Sequence, residues 1–286
     1  MKTITPRIFF RDTSNLGEGP VWFEDRLWWV DIEPGKLHAV DATGKNKITY
    51  DMGRRLGAAV PAGEGEFIVS LEDGIGLFQV ATGTVEILAS PEKGVQGNRF
   101  NDGKCDPVGR FVTGTLNMNG LQNAAALYSL DPKLGVKKIF SPVTCSNGLA
   151  WSADGTTMYY IDTLTWEIAV FPYDLQTGDL GSRRVVATIP KEMGLPDGMA
   201  IDSEGNLWVG HWDGGAVRCW SPVTGQCLAE IPMPCLRATS CCFGGLDFSS
   251  LFITTAQDDA GSELAGSVFV CEPGVSGYPV RRFAQS

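Results

Sequence analysis

Histidine is nearly missing from this sequence: His38 and His211 are the two in 286 residues. A zinc site built from three histidines and an HExxH metalloprotease are therefore excluded. A Ser-His-Asp hydrolase is disfavoured, because no GxSxG elbow occurs and no serine is marked out beside His211. Long apolar runs are missing too. No stretch approaches the roughly eighteen residues a membrane span needs. The first ten residues have neither the continuous apolar core nor the small-residue cleavage site expected of a secretory signal. Basic residues are outnumbered, with 23 Lys and Arg against 33 Asp and Glu, for a net charge of −10. That balance argues against nucleic acid and anionic membrane as partners. Cysteine is present eight times, at 105, 145, 219, 227, 235, 241, 242 and 271, but never as a CxxC pair. In a chain this long without a signal, reduced core thiols and a cytoplasmic location are expected.

What the chain does have is repetition. The segments 26–45, 66–85, 110–135, 157–180, 206–227 and 251–277 each read as an apolar strand, a short polar or glycine-containing connection, a second strand and a turn. Their first strands begin near 26, 66, 110, 157, 206 and 250, a spacing of 40 to 49 residues. Propeller blades repeat at about 40–50 residues. β-Branched and aromatic residues dominate the apolar runs, and no segment longer than two turns keeps a helical period. The expected fold is all-β, a six-bladed β-propeller with a central channel, as a single domain over 1–286. Ring closure is expected from Thr3–Phe10 pairing with the segment around Tyr278–Phe283.

The residues just upstream of each repeat carry the chemistry. They read LGEGPVW at 16–22, LGAAVPAG at 56–63, FNDGKCD at 100–106, SNGLAWS at 146–152, LPDGMAI at 195–201 and TSCCFGG at 239–245. In four of the six a glycine follows an oxygen-bearing side chain: Glu18, Asp102, Asn147 and Asp197. If these segments form the innermost strands, equivalent positions converge at one end of the channel. Asp-Gly and Asn-Gly are also common turn dipeptides, but Glu-Gly is not. Glu18, Asn147 and Asp197, with Asn101 or Asp102 nearby, form an all-oxygen set. Such a set suits a hard divalent ion such as Ca²⁺, Mg²⁺ or Mn²⁺ and does not rule out Zn²⁺. Few protein ligands leave room for water and substrate.

These motifs, together with NRFNDGKCDPVGRFVTGT at 98–115, YYIDT, GNLWVG and ATSCCFGG at 238–245, resemble the SMP-30/gluconolactonase/luciferin-regenerating family through most of the chain. The resemblance implies a six-bladed propeller binding one divalent metal, Ca²⁺ first, through Glu18, Asn147 and Asp197. It also implies hydrolysis of a sugar lactone, with Arg99 and Asn101 contacting substrate and Asp197 as general base. Some members carry an acidic substrate-binding residue in the loop after the GT of the third repeat. Here that loop is Leu116-Asn-Met-Asn-Gly-Leu-Gln-Asn-Ala-Ala125, so Asn117 or Asn119 is expected to substitute as a neutral group, and sugar preference is left open. The expected partner is a small lactone, and the expected state a monomer or weak homo-oligomer.

Two other functions fit the same residues: a phosphotriesterase-like metal hydrolase, and a non-enzymatic calcium-binding propeller. Arg99 has the alternative of a surface ion pair. Trp28, Trp29, Trp151, Trp208 and Trp220 are expected to fill space between blades. His38 is expected on a surface strand, and His211 and Trp212 in blade packing. The neighbours of Cys241-Cys242 are expected to shape the pocket floor.

Overall fold

The computed structural model describes residues 1–133 and 135–284. Its six small sheets are arranged as a six-bladed propeller, and two 3-10 turns, Thr163–Thr165 and Lys191–Met193, are the helical segments among the described residues. No helix among them is long and apolar enough to cross a membrane. The innermost strands are Gly17–Phe23, Leu56–Pro61, Asn98–Cys105, Ser146–Trp151, Leu195–Ile201 and Ala238–Gly244, in blades 1 to 6 respectively. They are the six motif segments singled out from the sequence.

The hairpins within the blades rest on local turn chemistry. In Asp41-Ala-Thr-Gly-Lys45, Asp106-Pro-Val-Gly-Arg110 and Asp202-Ser-Glu-Gly-Asn206, the aspartate Oδ1 accepts the backbone N–H two and four residues on. The glycine at the fourth position has φ of +70°, +91° and +83°, a conformation a Cβ disfavours. Packing between blades is apolar and aromatic. All five tryptophans expected there are buried, and Trp28 of blade 1 lies 4.6 Å, centroid to centroid, from Phe67 of blade 2. All eight cysteines are free thiols.

Ring closure differs from the expectation. Arg7–Phe10 pairs antiparallel with Val268–Cys271 and completes blade 6, while Lys2–Thr3 runs parallel to the outer strand of blade 5, Cys227–Pro232. Pro6, which has no N–H to donate, separates the two pieces. Tyr278–Phe283 is no strand of the ring. Pro279 interrupts it, and it crosses the mouth opposite the Glu18 end, where the Phe283 N–H donates to Pro61 O and the Ala284 N–H to Gly109 O. His38 also departs from expectation. It is 4% exposed, lies 5.2 Å from the Trp29 ring and hydrogen-bonds Thr49 Oγ1 through Nδ1. Blade 1 has an apolar neighbour on both faces, so its third strand has no free surface. His211 is fully buried with Nε2 accepting from Trp220 Nε1, in keeping with blade packing.

Candidate metal centre

Every inner strand slips register at the same place. The breaks fall between Glu18 and Val21, Leu56 and Ala58, Phe100 and Gly103, Asn147 and Leu149, Pro196 and Met199, and Ala238 and Ser240. A bulge re-aims the side chains beside it. Six bulges around one axis turn the residues of the motif towards one end of the channel. Close packing behind them explains the glycines. A Cβ on Gly148 would sit 2.8 Å from Asp197 O, and one on Gly198 would sit 2.2 Å from Ser240 Oγ. Aspartates at the ends of the second strands hold the approaches: Asp31 accepts the N–H groups of Asn15 and Leu16, and Asp162 those of Thr144 and Cys145.

Glu18, Arg99, Asn101, Asn117, Asn147 and Asp197 all line one cavity of about 310 Å³. Arg99 and Asn101 are linked, Arg99 Nη1 donating to Asn101 Oδ1 at 2.7 Å, while Asn101 Nδ2 donates to Ser146 O at 2.8 Å. Arg99 is buried, so the surface ion pair is not what the structure shows. Asn117 Nδ2 donates to Asn98 Oδ1 and its Oδ1 accepts the Asn119 N–H, which commits that amide to its own loop. The Asn119 side chain packs over Gly97, and Asn119 is not among the residues lining this cavity. Trp212, expected in blade packing, instead forms part of the cavity wall. Cys241 and Cys242 line a second cavity, of about 140 Å³, at the opposite mouth with Lys104 and Tyr278. Their neighbours do back the Glu18 end: Thr239 Oγ1 donates to Gly17 O, and Ser240 packs on Gly198.

Thr163, the last residue of the YYIDT motif and one with no role expected from the sequence, fixes the amide of Asn147. Its hydroxyl donates to Pro196 O at 2.9 Å and so accepts from Asn147 Nδ2, also at 2.9 Å. Asn147 Oδ1 is left buried with no hydrogen-bond partner. The carboxylates beside it are equally exposed to the problem of burial. Glu18 is pushed up to about 8, first by burial and then by Asp102, with the Gly19 N–H and Arg99 pulling the other way. Asp197 is held well above the usual carboxylate range by burial, then by Glu18 and Asp102. Asp102, raised by burial, has an unpartnered Oδ2. Buried like charges and an orphaned amide oxygen are the environment a divalent cation relieves. No three His, Cys, Asp or Glu side chains gather as a metal-holding group among the described residues, and the set expected from sequence pairs two carboxylates with one amide oxygen. The donors are hard oxygens and fit such an ion.

The SMP-30/Gluconolactonase/LRE-like region matches residues 16–257. The chain belongs to this family. Among curated SMP-30/gluconolactonase-like relatives, regucalcin of Danio rerio is 39% identical over 291 residues, covering 98% of each chain. A calcium-binding protein, regucalcin from Agrobacterium tumefaciens, superposes with a TM-score of 0.92 at 28% identity over 99% of each chain. A luciferin-regenerating enzyme superposes with a TM-score of 0.91 at 29% identity, over 98% of this chain and 99% of the other. Both superpositions extend over nearly the full length of the chain.

Proposed function

We propose that this protein is a metal-dependent lactonase which opens a sugar lactone to its acid in the cytoplasm, where its thiols stay reduced. The observation that carries the reading is Asn147 Oδ1, buried and unpartnered beside two buried carboxylates on one cavity wall. Glu18, Asn147 and Asp197 would hold the cation, Ca²⁺ first, with Zn²⁺, Mn²⁺ or Mg²⁺ as alternatives. When bound, that ion supplies Lewis-acid polarisation of the lactone carbonyl. The family name, which includes gluconolactonase, supports the same class of chemistry.

The chain's own residues do the rest. Arg99 and Asn101, locked to each other and to the Phe100 and Ser146 carbonyls, present a rigid donor edge to ring and exocyclic hydroxyls. Asp197, on the bulge of blade 5, accepts a proton from the attacking water. The water oxygen bonds to the carbonyl carbon, the acyl–oxygen bond of the ring breaks, and the proton held by Asp197 passes to the departing ring oxygen. The new carboxylic acid ionises and releases one proton to solvent.

Asp197→Ala tests this. The expected result is a folded protein with lactone turnover reduced by about 10³-fold or more, since both a ligand and a base are lost. Full activity in that variant removes the assignment. Wild-type protein that hydrolyses a phosphotriester but leaves sugar lactones untouched supports the phosphotriesterase reading instead, and binding of Ca²⁺ with neither activity supports a calcium-binding propeller.

A further inference from the structure

The cavity is polar at its floor and apolar at its rim. Arg99 and Asn101 sit below, on blade 3, whereas Leu16, Leu121, Leu164, Leu195 and Trp212 surround the mouth. Leu121 and Leu164 are 59% and 45% exposed, so nothing among the described residues covers them. Apolar surface gathered at the lip of a ligand cavity signals something that covers it. The wall is also built in advance. Leu195 and Trp212 are cross-strand partners in blade 5, and the Arg237 guanidinium lies 4.6 Å from the centre of the Trp212 ring. Arg237 is in turn fixed by Asp213 and by Gln257 O. Leu164 is carried on the 3-10 turn that also supplies Thr163. Thr144 Oγ1, on the same cavity wall, accepts the Asn123 N–H and keeps its own O–H as a side-chain hydroxyl donor beside the leucines.

We infer that the preferred substrate is a 6-deoxyaldonolactone, a lactone with hydroxyls on the ring and a methyl-terminated tail where an ordinary aldonolactone has a hydroxymethyl group. This rests on the lactonase reading. With the carbonyl at Asp197 and the ring hydroxyls at Arg99 and Asn101, the tail leaves the cavity through the leucine rim. A terminal hydroxyl lying against Leu121 and Leu164 loses part of its hydration and gains no hydrogen bond from either leucine. A methyl group covers Leu121 and Leu164 at no such cost.

The test uses lactone pairs of equal stereochemistry that differ only in the terminal group: L-fucono-γ-lactone against L-galactono-γ-lactone, and L-rhamnono-γ-lactone against L-mannono-γ-lactone. The metal-loaded protein is expected to show kcat/KM about 10-fold higher for the deoxy member of each pair it hydrolyses. Leu164→Asn, and independently Leu121→Ser, are expected to bring that ratio to about one, with the thermal midpoint kept because both side chains are exposed. A wild-type ratio of one or less overturns the inference while leaving the lactonase reading in place, as does an unchanged ratio in both variants. Turnover of gluconolactone with neither pair touched also overturns it. No turnover of any lactone overturns the lactonase reading and this inference together.

Discussion

At the scale of single residues, the site is a problem of unpaired oxygen. Thr163 is the residue that decides how Asn147 faces, so Thr163→Val frees the amide to rotate and leaves its donor without a partner. A residue that orients a ligand is worth about 10- to 100-fold in metal affinity, and titration calorimetry with Ca²⁺ should show a loss of that size. The carboxylates make a prediction about pH. The unfolded chain gives up the Glu18 proton near pH 4.5, whereas the folded, metal-free protein keeps it to about 8. Between those values the native state binds the extra proton, so this group's contribution makes stability fall as pH rises. His38 and His211 act in the other direction: buried as neutral imidazoles and depressed to about 4 and about 3, they cost stability below their ordinary value of 6.5. The clean comparison is therefore metal-free Glu18→Gln against metal-free wild type. The variant should gain in thermal midpoint relative to wild type from pH 5 to pH 8, and a difference independent of pH would refute the assignment. Glu18 and Asp197 were legible in sequence because carboxylates recur in register beside glycine. The role of Thr163 was not, although YYIDT ends on it, since that role depends on a contact with Pro196 in the next blade.

At the scale of elements, the recurrent bulge is what converts a sheet into a site. Its position was marked by a glycine in five of the six blades, the sixth having Thr239 there, and the motif upstream of each repeat corresponds to an inner strand. The strand pairings that close the ring were misjudged because Pro6 and Pro279 break segments whose residue types otherwise suit strands. Gly57 shows how far bulge packing reaches. It belongs to blade 2, which supplies none of the proposed ligands, yet a Cβ there would lie 2.7 Å from the carbonyl oxygens of both Phe100 and Asn101. Gly57→Ala should push the inner strand of blade 3 outward and shift Arg99 and Asn101. The expected result is a rise in KM for the lactone and a drop in stability of about 1–3 kcal/mol, with Ca²⁺ affinity nearly unchanged. Equal losses in metal and substrate binding would argue against a separate substrate edge on blade 3.

For the whole molecule, the propeller explains how residues from 18 to 197 meet with little local sequence signal between them. Each blade contributes a bulged inner strand, and the N-terminal strand Arg7–Phe10 makes the sixth blade complete. Removing residues 1–11 should leave Val268–Cys271 as an unpaired edge, lowering the thermal midpoint by about 10 °C or more and promoting aggregation. A truncated protein as stable and monodisperse as wild type would show that closure is made elsewhere. The central claim, one divalent cation on Glu18, Asn147 and Asp197 enabling lactone hydrolysis, is tested most directly by returning Ca²⁺ to chelator-stripped protein while following acid release from a panel of sugar lactones. Hydrolysis should be absent without metal, saturate at one ion per chain and be lost in Asp197→Ala. Hydrolysis that persists without metal, or lactones untouched with Ca²⁺, Zn²⁺, Mn²⁺ and Mg²⁺ alike, would contradict the account.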